Sequence, residues 1–324
     1  MAQGGRGACI LVHASDPSPG IAKISAVAPQ ARIVAHDSYD DIDALLAEAR
    51  PDACLSYRFG PGYPRGPLVE GPDSPAYVHV AGTGFDHLLP FAPDQVLVCN
   101  SAGFQAPVMA DYALGAVLAI NLDVPHYVAQ QSERKWSGRL MRGAVGQRAV
   151  VLGTGPIGAA IARRLASIGM EVTGVSRSGR SHPNFQAVVP ASGIDAAVRT
   201  ADHLVVAIPL TTETRGMVSA RVLAALPQGA GVVNLARGGV VDEAALLVAL
   251  RSGAIRGAIF DVFETEPLPA DNPLWDAPGM IVTPHASALF DGWEAAAADM
   301  FCDNLRRLGS GEPVQNRIDP DRGY

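Results

Sequence analysis

A glycine-rich turn in the middle of the chain constrains the fold more than any other feature of the sequence. The turn reads Gly153-Thr154-Gly155-Pro156-Ile157-Gly158, and it lies between the β-type run Ala149–Leu152 and a helical pattern. In such a turn the first glycine permits a tight bend, the second lets the backbone approach a pyrophosphate, and the third lets the helix pack on the strand. The N–H groups at the start of the helix attract an anion. The six residues are therefore predicted to bind a dinucleotide.

The end of the next predicted strand indicates which dinucleotide is bound. Folds that prefer NAD carry Asp or Glu at this point, whereas this chain has Ser176-Arg177-Ser178. A guanidinium binds phosphate through two parallel charge-assisted hydrogen bonds, which a carboxylate in its place would preclude. With no acidic neighbour in the sequence, Arg177 is expected to bind the 2′-phosphate of NADPH together with the two serines. NAD is expected at lower preference, and Arg180 is equally well explained as a surface arginine.

Short β-type runs alternate with helical patterns, which predicts parallel sheets joined by crossover helices. The predicted strands are Ala8–His13, Ala31–Ala35, Ala53–Tyr57, Tyr77–Val80, Val96–Cys99, Arg148–Leu152, Glu171–Val175, His203–Ile208, Gly231–Asn234, Ala258–Phe260 and Met280–Val282. The predicted helices are Ile42–Arg50, Met109–Leu122, Ile157–Ile168, Ile194–Arg199, Ser219–Leu226, Glu243–Ser252 and Gly292–Leu308. The stretch 60–75, rich in proline and glycine, is predicted to be a surface loop.

The length of 324 residues fits two domains. We predict an α/β protein with a doubly wound parallel-sheet (Rossmann) nucleotide domain, residues 101–288, in which the second series of strands forms the sheet. It is inserted in a smaller flavodoxin-like α/β substrate domain formed by residues 1–100 and 289–324. The final helix is expected to pack on the N-terminal block.

Composition excludes several other classes of function. The net charge of −7, without a basic cluster, argues against nucleic acid as a partner. No apolar run reaches the ~18–20 residues of a membrane span, and the N-terminal apolar run is too short for a signal peptide. The cysteines are far apart and lack metal-ligand spacing, which predicts thiols in a reducing cytoplasm, with no disulfide and no metal.

Three segments that carry chemistry follow predicted strands of the second series. The segments are Asn234–Gly238, Asp261–Pro269 and Thr283–His285. Because ligands bind at the carboxyl ends of parallel strands, we expect the segments to meet in one crevice. Each has an ordinary alternative explanation: a surface ion pair for Arg237, a loop carboxylate for Glu266 and a buried core histidine for His285. Their occurrence at successive strand ends favours catalysis.

Taken in this order, the motifs resemble the D-2-hydroxyacid dehydrogenase family from about Val78 to Tyr324. The Ser-Arg-Ser strand end and the terminal Asp-x-x-Arg-Gly-Tyr, Asp319–Tyr324, are similar to the NADPH-dependent glyoxylate/hydroxypyruvate reductases of that family. The resemblance implies that Arg237 grips the substrate carboxylate and carbonyl, that His285 is the acid/base, and that Glu266 supports it.

The resemblance also implies contacts outside this triad. It assigns substrate-carboxylate binding to a backbone loop and further cofactor contacts to scattered positions, with Asp261 orienting the nicotinamide carboxamide. The substrate loop is Gly82, Thr83 and Gly84; the cofactor positions are Met109, Ile208, Pro209, Thr214, Ala236 and Asp261. The segments Asn100–Val108 and Ser287–Asp291 depart from the family pattern, and they bear on substrate identity more than on reaction type. The roles of Tyr57 and Arg58 stay open.

The implied activity is reduction of a small 2-keto acid, glyoxylate or hydroxypyruvate first. Negative charge develops on the carbonyl oxygen as hydride adds, so a nearby cation and a proton donor favour the reaction. One alternative is a reductase of a branched or aromatic 2-keto acid, and another is a non-catalytic NAD(P)H-sensing binding protein of the same fold. The helix Pro107–Leu122 and the loop through Trp136 carry more apolar surface than a connection needs, which favours a homodimer.

Overall fold

The computed structural model describes residues 7–58 and 62–320. The chain divides into two compact units, one made of Met1–Phe104 with Phe290–Tyr324 and the other of Gln105–Leu289. Of the terminal Asp319–Tyr324 motif, residues 321–324 lie outside the described residues.

Strands and helices alternate along both units. The strands are β1 Cys9–His13, β2 Arg32–His36, β3 Ala53–Ser56, β4 Tyr77–Val80, β5 Leu97–Asn100, β6 Arg148–Leu152, β7 Glu171–Ser176, β8 Ala187–Pro190, β9 His203–Val206, β10 Ala230–Asn234, β11 Ile255–Phe260 and β12 Met280–Val282. The helices are α1 Ser18–Val27, α2 Ile42–Ala49, α3 Arg65–Val69, α4 Ala106–Asn121, α5 Val124–Ser132, α6 Pro156–Ser167, α7 Ile194–Val198, α8 Ala220–Ala225, α9 Glu243–Arg251 and α10 Trp293–Ser310.

The first unit is built on a parallel sheet with the order β2-β1-β3-β4-β5. This is the flavodoxin-like order, with its switch point between β1 and β3. Side chains alternate between the two faces: Leu11 joins a hydrophobic cluster with Leu46 of α2, whereas Val12 joins one with Ile24 of α1 and Phe301 of α10. Helix α10 therefore packs in the first unit, where Phe301 stacks on Tyr77 of β4 at a ring distance of 5.4 Å.

The second unit is built on a parallel sheet with the order β12-β11-β10-β9-β6-β7-β8. Both faces are covered, because Val150 of β6 packs in a cluster with α7, α8 and α9, while the adjacent Val151 packs in one with α4 and α6. Strands covered on both faces read as continuous apolar runs, as β6 and β9 do. The order contains the doubly wound Rossmann arrangement 3-2-1-4-5-6, extended by one strand, so the predicted fold class is confirmed.

Four parts of the secondary-structure prediction were incomplete. Helices α1 and α5 were not predicted, and β8 adds a strand at one edge of the second sheet. The stretch predicted as a loop at 60–75 contains the short helix α3, while residues 59–61 lie outside the described residues.

The described residues hold no group of three His, Cys, Asp or Glu side chains arranged to bind a metal ion. The four cysteines are buried, and none takes part in a disulfide. Among the described residues no single helix is long and apolar enough to cross a membrane; α4 and α5 meet the length and composition requirements only as a pair, bent by 65°.

Candidate active site

The glycine turn between β6 and α6 has the geometry that a bound pyrophosphate requires. Gly153 has φ = 104°, and a Cβ on it would lie 2.4 Å from the carbonyl oxygen of Ala207. A Cβ on Gly158 would lie 1.9 Å from the carbonyl oxygen of Gly153, so only glycine allows α6 to pack this closely on the turn. A Cβ on Gly155, in contrast, would meet no described atom within 4 Å. The middle glycine thus faces open space at the start of the helix.

The first turn of α6 is suited to an anion. Gly155 is its N-cap residue, Pro156 follows, and no side chain among the described residues caps the helix. Pro156 has no N–H group, so the N–H groups of the next residues are the first to point out of the helix. These groups and the helix dipole fit the negative charge of a dinucleotide.

The strand end of β7 presents Arg177 and Ser178 at the surface. Ser176 accepts a hydrogen bond from the N–H of Gly179 (3.1 Å), which fixes the turn behind Arg177. Arg177 has no acidic neighbour in the sequence, but the fold brings Glu213 near it. Glu213, from the loop after β9, has a lowered pKa because it accepts a hydrogen bond from Thr211 and, to a lesser extent, because Arg177 is close.

Hydrogen bonds of the Thr214 side chain hold the loop after β9 together. The hydroxyl of Thr214 donates to the carbonyl of Pro209 (2.6 Å) and accepts from the N–H of Thr211 (2.7 Å). Ile208 and Pro209 are thereby held at the carboxyl end of β9, on the same sheet edge as the glycine turn. Thr211 was not singled out from the sequence, since its role depends on a contact within the loop.

Arg237 stands at the end of β10 in extended backbone, directly before a 3₁₀ turn at Gly238–Val240. Asn234 holds this segment: its side-chain oxygen accepts from the N–H of Ala236 (3.1 Å), and its amide donates to the carbonyl of Arg237 (3.1 Å). Asn234 and Ala236 are buried, whereas Arg237 is half-buried. Asn234 is therefore a positioning residue that the sequence reasoning did not identify.

His285 and Glu266 form a close pair. Nδ1 of His285 lies 2.7 Å from Oε2 of Glu266, and each side chain is about one-third exposed (31% and 33%). The other carboxylate oxygen of Glu266 accepts from the N–H of Phe263 (2.9 Å). Burial alone would raise the pKa of the Glu266 carboxyl, but the hydrogen bonds from His285 and Phe263 and the charges of His285 and Arg237 lower it below its usual value. An ionised carboxylate thus faces the imidazole, with Arg237 close enough to influence it.

The backbone at His285 is in the left-handed region, with φ = 53°. A histidine in this conformation is uncommon, and strained backbone is concentrated at functional sites. Asp261 holds the strained segment: its carboxylate accepts from the hydroxyl of Thr283 (2.6 Å) and from the N–H groups of Ala286 and Ser287 (2.8 Å each), and its carbonyl accepts from the N–H of His285 (2.8 Å). Asp261 is 1% exposed. Asp261 therefore fixes the histidine loop, and its contact to nicotinamide stays a prediction.

The remaining predicted residues lie in less specific settings. In the first unit, the amide of Asn100 donates to the carbonyl of Thr83 (2.7 Å), which shapes the loop Gly82–Gly84. Met109, in the second unit, is buried in the hydrophobic cluster of α4 and α6. Substrate binding by the loop and cofactor contact by Met109 stay predictions.

Tyr57 and Arg58 border a cavity of about 280 Å³ in the first unit, together with Ser15, Asp16 and Trp293. The Tyr57 hydroxyl donates to the carbonyl of Glu294 (2.8 Å), so this residue ties the end of β3 to the start of α10. Arg58 donates to Ser15 and lies over the ring of Tyr39.

Comparison with known proteins shows which family the chain resembles. The NAD-binding domain of the D-isomer specific 2-hydroxyacid dehydrogenases matches residues 114–287. Glyoxylate/hydroxypyruvate reductase A of Salmonella choleraesuis is 36% identical over 216 residues, 67% of this chain and 69% of that protein.

Two solved structures cover nearly the whole chain. A D-isomer specific 2-hydroxyacid dehydrogenase from Xanthobacter autotrophicus, in complex with NADPH and MES, superposes with a TM-score of 0.82 at 34% identity, over 99% of this chain and 100% of that one. An NADPH-dependent glyoxylate/hydroxypyruvate reductase from Sinorhizobium meliloti, with NADP and sulfate, gives a TM-score of 0.83 at 27% identity, over 98% and 100%.

The chain belongs to the D-isomer specific 2-hydroxyacid dehydrogenase family. It is thus an oxidoreductase that binds NAD(P) on a Rossmann domain and acts on a small-molecule substrate.

Proposed function

We propose that the chain is an NADPH-dependent reductase of small 2-keto acids, with glyoxylate or hydroxypyruvate as the substrate. The observation that carries the proposal is the His285–Glu266 pair, 2.7 Å apart, at the same sheet edge as Arg237. The names of the Salmonella and Sinorhizobium relatives support this choice of substrate. NADPH would supply the hydride when bound.

Each catalytic residue has a distinct task in this proposal. Arg237 pairs with the substrate carboxylate and stabilises the negative charge that develops on the carbonyl oxygen. The Nδ1–H of His285 donates to ionised Glu266, which assigns proton transfer to the other ring nitrogen, Nε2. The loop Gly82–Gly84 is proposed to bind the substrate carboxylate through its N–H groups.

The residues around the glycine turn fit NADPH as the cofactor. The open space at Gly155 and the uncapped start of α6 suit a pyrophosphate, and exposed Arg177 with its two serines suits a 2′-phosphate. The Xanthobacter structure contains NADPH, which supports this assignment. Because Glu213 is close to Arg177, we expect NADH to be used at lower preference rather than excluded.

We also propose that the chain forms a homodimer through a segment of the second unit. Its apolar side chains from residue 122 to 145 are unusually exposed, with Trp136 fully exposed and Leu140 at 92%. A second copy that covers this surface would remove it from water. The buried cysteine thiols support the further expectation of a reducing, cytoplasmic environment.

The test of the proposed activity is the loss of NADPH and NADH absorbance against four 2-keto acids: glyoxylate, hydroxypyruvate, pyruvate and phenylpyruvate. We expect the highest kcat/KM with NADPH and either glyoxylate or hydroxypyruvate. A preference for phenylpyruvate would transfer the proposal to the aromatic alternative. Tight NADPH binding without turnover on any of the four acids would favour the non-catalytic binding protein.

A further inference from the structure

Glu243, the first residue of α9, reaches across to the loop that carries Glu266. Its Oε1 accepts a hydrogen bond from the backbone N–H of Glu264 at 2.7 Å. Glu243 is not needed to cap its own helix, because Asp242 already accepts from the N–H of Ala245 (2.9 Å). The Glu243 carboxylate is therefore committed to a different segment of the chain.

The peptide group between Phe263 and Glu264 is also held from a second side. A Cβ on Gly238 would lie 1.9 Å from the carbonyl carbon of Phe263 and 2.1 Å from the nitrogen of Glu264. Gly238 directly follows Arg237, so the turn that carries the arginine rests on this peptide group. Val262 and Phe263 are themselves buried, at 1% and 6% exposure. The peptide group is thus held by Gly238 and by Glu243.

The held peptide group is separated only by the two backbone dihedral angles of Phe263 from the N–H that bonds to Glu266. The N–H of Phe263 donates to Oε1 of Glu266 (2.9 Å), and Oε2 of Glu266 bonds to His285 (2.7 Å). When Glu243 fixes the N–H of Glu264, the backbone of Phe263 is fixed as well, and with it the direction of the N–H that holds Glu266. A continuous series of contacts therefore joins α9 to the histidine.

We propose that Glu243 is a positioning residue for the Glu266–His285 pair, acting through its hydrogen bond to the N–H of Glu264. The inference rests on the proposed function, in which that pair transfers the proton. A displaced catalytic group costs rate even when binding is unchanged, because the reacting atoms must be aligned. The effect of Glu243 is therefore expected on kcat rather than on the KM for NADPH.

A purely electrostatic role is the competing explanation. Burial raises the pKa of Glu243, the hydrogen bond from Glu264 opposes this, and the charges of Glu264 and Glu266 raise it further. A cavity of about 290 Å³ beside Glu243 also brings Arg215, Asp242 and Glu264 close to it. The test must therefore separate the hydrogen bond of Glu243 from its charge.

Two conservative variants separate them. Glu243→Gln keeps an oxygen that accepts the N–H of Glu264 but removes the charge, whereas Glu243→Asp keeps the charge but is one methylene too short. We expect Glu243→Asp to lower kcat about 10- to 100-fold, the cost of misplacing a catalytic group, and Glu243→Gln to retain most of the activity. Glu264→Gln is the matched control, because it removes a neighbouring charge and keeps the backbone N–H; its kcat should match that of the unmodified protein.

A second readout does not depend on turnover. The pKa of Glu266, followed by ¹³C NMR of the side-chain carboxyl, should rise in Glu243→Asp because the N–H bond from Phe263 is loosened. In Glu243→Gln it should stay the same or fall, because a nearby negative charge is removed. A rise of the Glu266 pKa in Glu243→Asp, without a rise in Glu243→Gln, supports the hydrogen-bond role.

A loss of kcat in Glu243→Gln but not in Glu243→Asp would overturn the proposal and favour a role for the charge of Glu243. Equal kcat values in all variants, or an unchanged Glu266 pKa in Glu243→Asp, would also overturn it. If the unmodified protein reduces no 2-keto acid, the proposed function fails. The carboxyl titration still decides whether Glu243 holds Glu266.

Discussion

At the scale of single residues, the site depends on a histidine whose backbone and side chain are both fixed from outside. Asp261 holds the loop in which His285 has φ = 53°, and Glu266 holds Nδ1 at 2.7 Å. The strain at His285 has a local cost, which is offset by the three hydrogen bonds to the buried Asp261 carboxylate. This arrangement fixes Nδ1 of His285 against Glu266 and so sets the direction in which Nε2 points.

His285→Ala tests the acid/base role directly. Removing the proton donor is expected to lower kcat about 10²- to 10⁴-fold, the usual contribution of a positioned acid or base. The Kd for NADPH, measured by fluorescence titration, should stay within a factor of about two, since the binding elements lie on other strand ends. A kcat close to that of the unmodified protein would remove His285 from the mechanism.

We expect Arg177 and Glu213 to set the preference between NADPH and NADH. Arg177→Asp should lower the kcat/KM for NADPH about 10- to 100-fold relative to NADH, since a charged hydrogen bond contributes about 1.5–3 kcal/mol. Glu213→Gln should act in the opposite direction, because Glu213 is near enough to Arg177 for their charges to interact, and its carboxylate would repel a 2′-phosphate bound there. Steady-state kinetics with both cofactors measures the ratio. An unchanged ratio in Arg177→Asp would show that the 2′-phosphate binds elsewhere.

At the scale of elements, two glycines in the turn at the start of α6 are expected to have different roles. Gly158 allows the helix to pack on the turn, and Gly155 leaves space for the cofactor. Gly158→Ala would place a methyl group 1.9 Å from the carbonyl oxygen of Gly153, so α6 must shift. We expect the free energy of unfolding to fall by about 1–3 kcal/mol, as for other overpacked sites. Gly155→Ala is the matched control, because its methyl group meets no described atom within 4 Å.

Urea unfolding and NADPH titration distinguish the two glycines. Gly155→Ala should keep its unfolding midpoint but bind NADPH more weakly, since the methyl group would occupy the space proposed for the pyrophosphate. Gly158→Ala should lose stability in the absence of cofactor. Equal stability losses in both variants would contradict the assignment of separate tasks.

Elements with a continuous apolar pattern could be predicted from the sequence. The predicted bounds of β4, β6 and β12 agree with the structure residue for residue, because these strands are short apolar runs with clear breaks. Helix α1 was missed since Pro17 and Pro19 suggest a break, although proline is well tolerated in a first turn. Strand β8 was missed because it is a four-residue edge strand that ends in proline.

The sequence predicted those residues of the candidate site that lie in the segments after strands. His285 and Glu266 lie in the segments that follow two neighbouring strands, β12 and β11, so the order of the strands predicts that they lie at the same end of the sheet. Glu213, Asn234 and Glu243 act through the folds of loops, which no local pattern specifies. Their roles required the distances that the structure provides.

At the scale of the whole molecule, buried histidines make stability depend on pH. Burial lowers the pKa of His13 and His203 to about 4 and that of His79 to about 3. These residues are neutral in the folded chain, whereas the unfolded chain takes up protons below the ordinary value of 6.5. Stability is therefore fully present above pH 6.5 and falls as the pH decreases toward 4.

The expected slope is up to about 1.4 kcal/mol per pH unit for each of these histidines, added to the contribution of the carboxyl groups. Urea unfolding at pH 7, 6, 5 and 4.5 measures it. His203→Gln should flatten the slope between pH 6 and 4.5 relative to the unmodified protein. A free energy of unfolding that is constant from pH 7 to 5 would contradict the buried, neutral state of these side chains.

The last prediction concerns the assembly of the molecule. In the second unit, the segment 133–146 contains no helix or strand, and it is attached by Arg139 to Asp123 (3.3 Å) and by Arg142 to the carbonyl of Gly229 (2.8 Å). Its apolar side chains nevertheless point outward, with Trp136 at 104% exposure and Leu140 at 92%. A segment that is held at its base but exposes an indole and a leucine is well suited to a self-complementary contact.

We expect the protein to sediment as a dimer at micromolar concentration. The double variant Trp136→Glu, Leu140→Glu should sediment as a monomer, because two buried carboxylates per protomer would lack partners in the contact. Val248→Glu is the matched control: Val248 is 68% exposed on α9, away from this segment in the sequence, and its variant should remain dimeric. Sedimentation velocity across a concentration series measures all three proteins. The exposed apolar segment is the physical reason to expect a dimer. A monomeric unmodified protein would therefore exclude the proposed dimer. A dimer that survives the double substitution would place the contact on another surface.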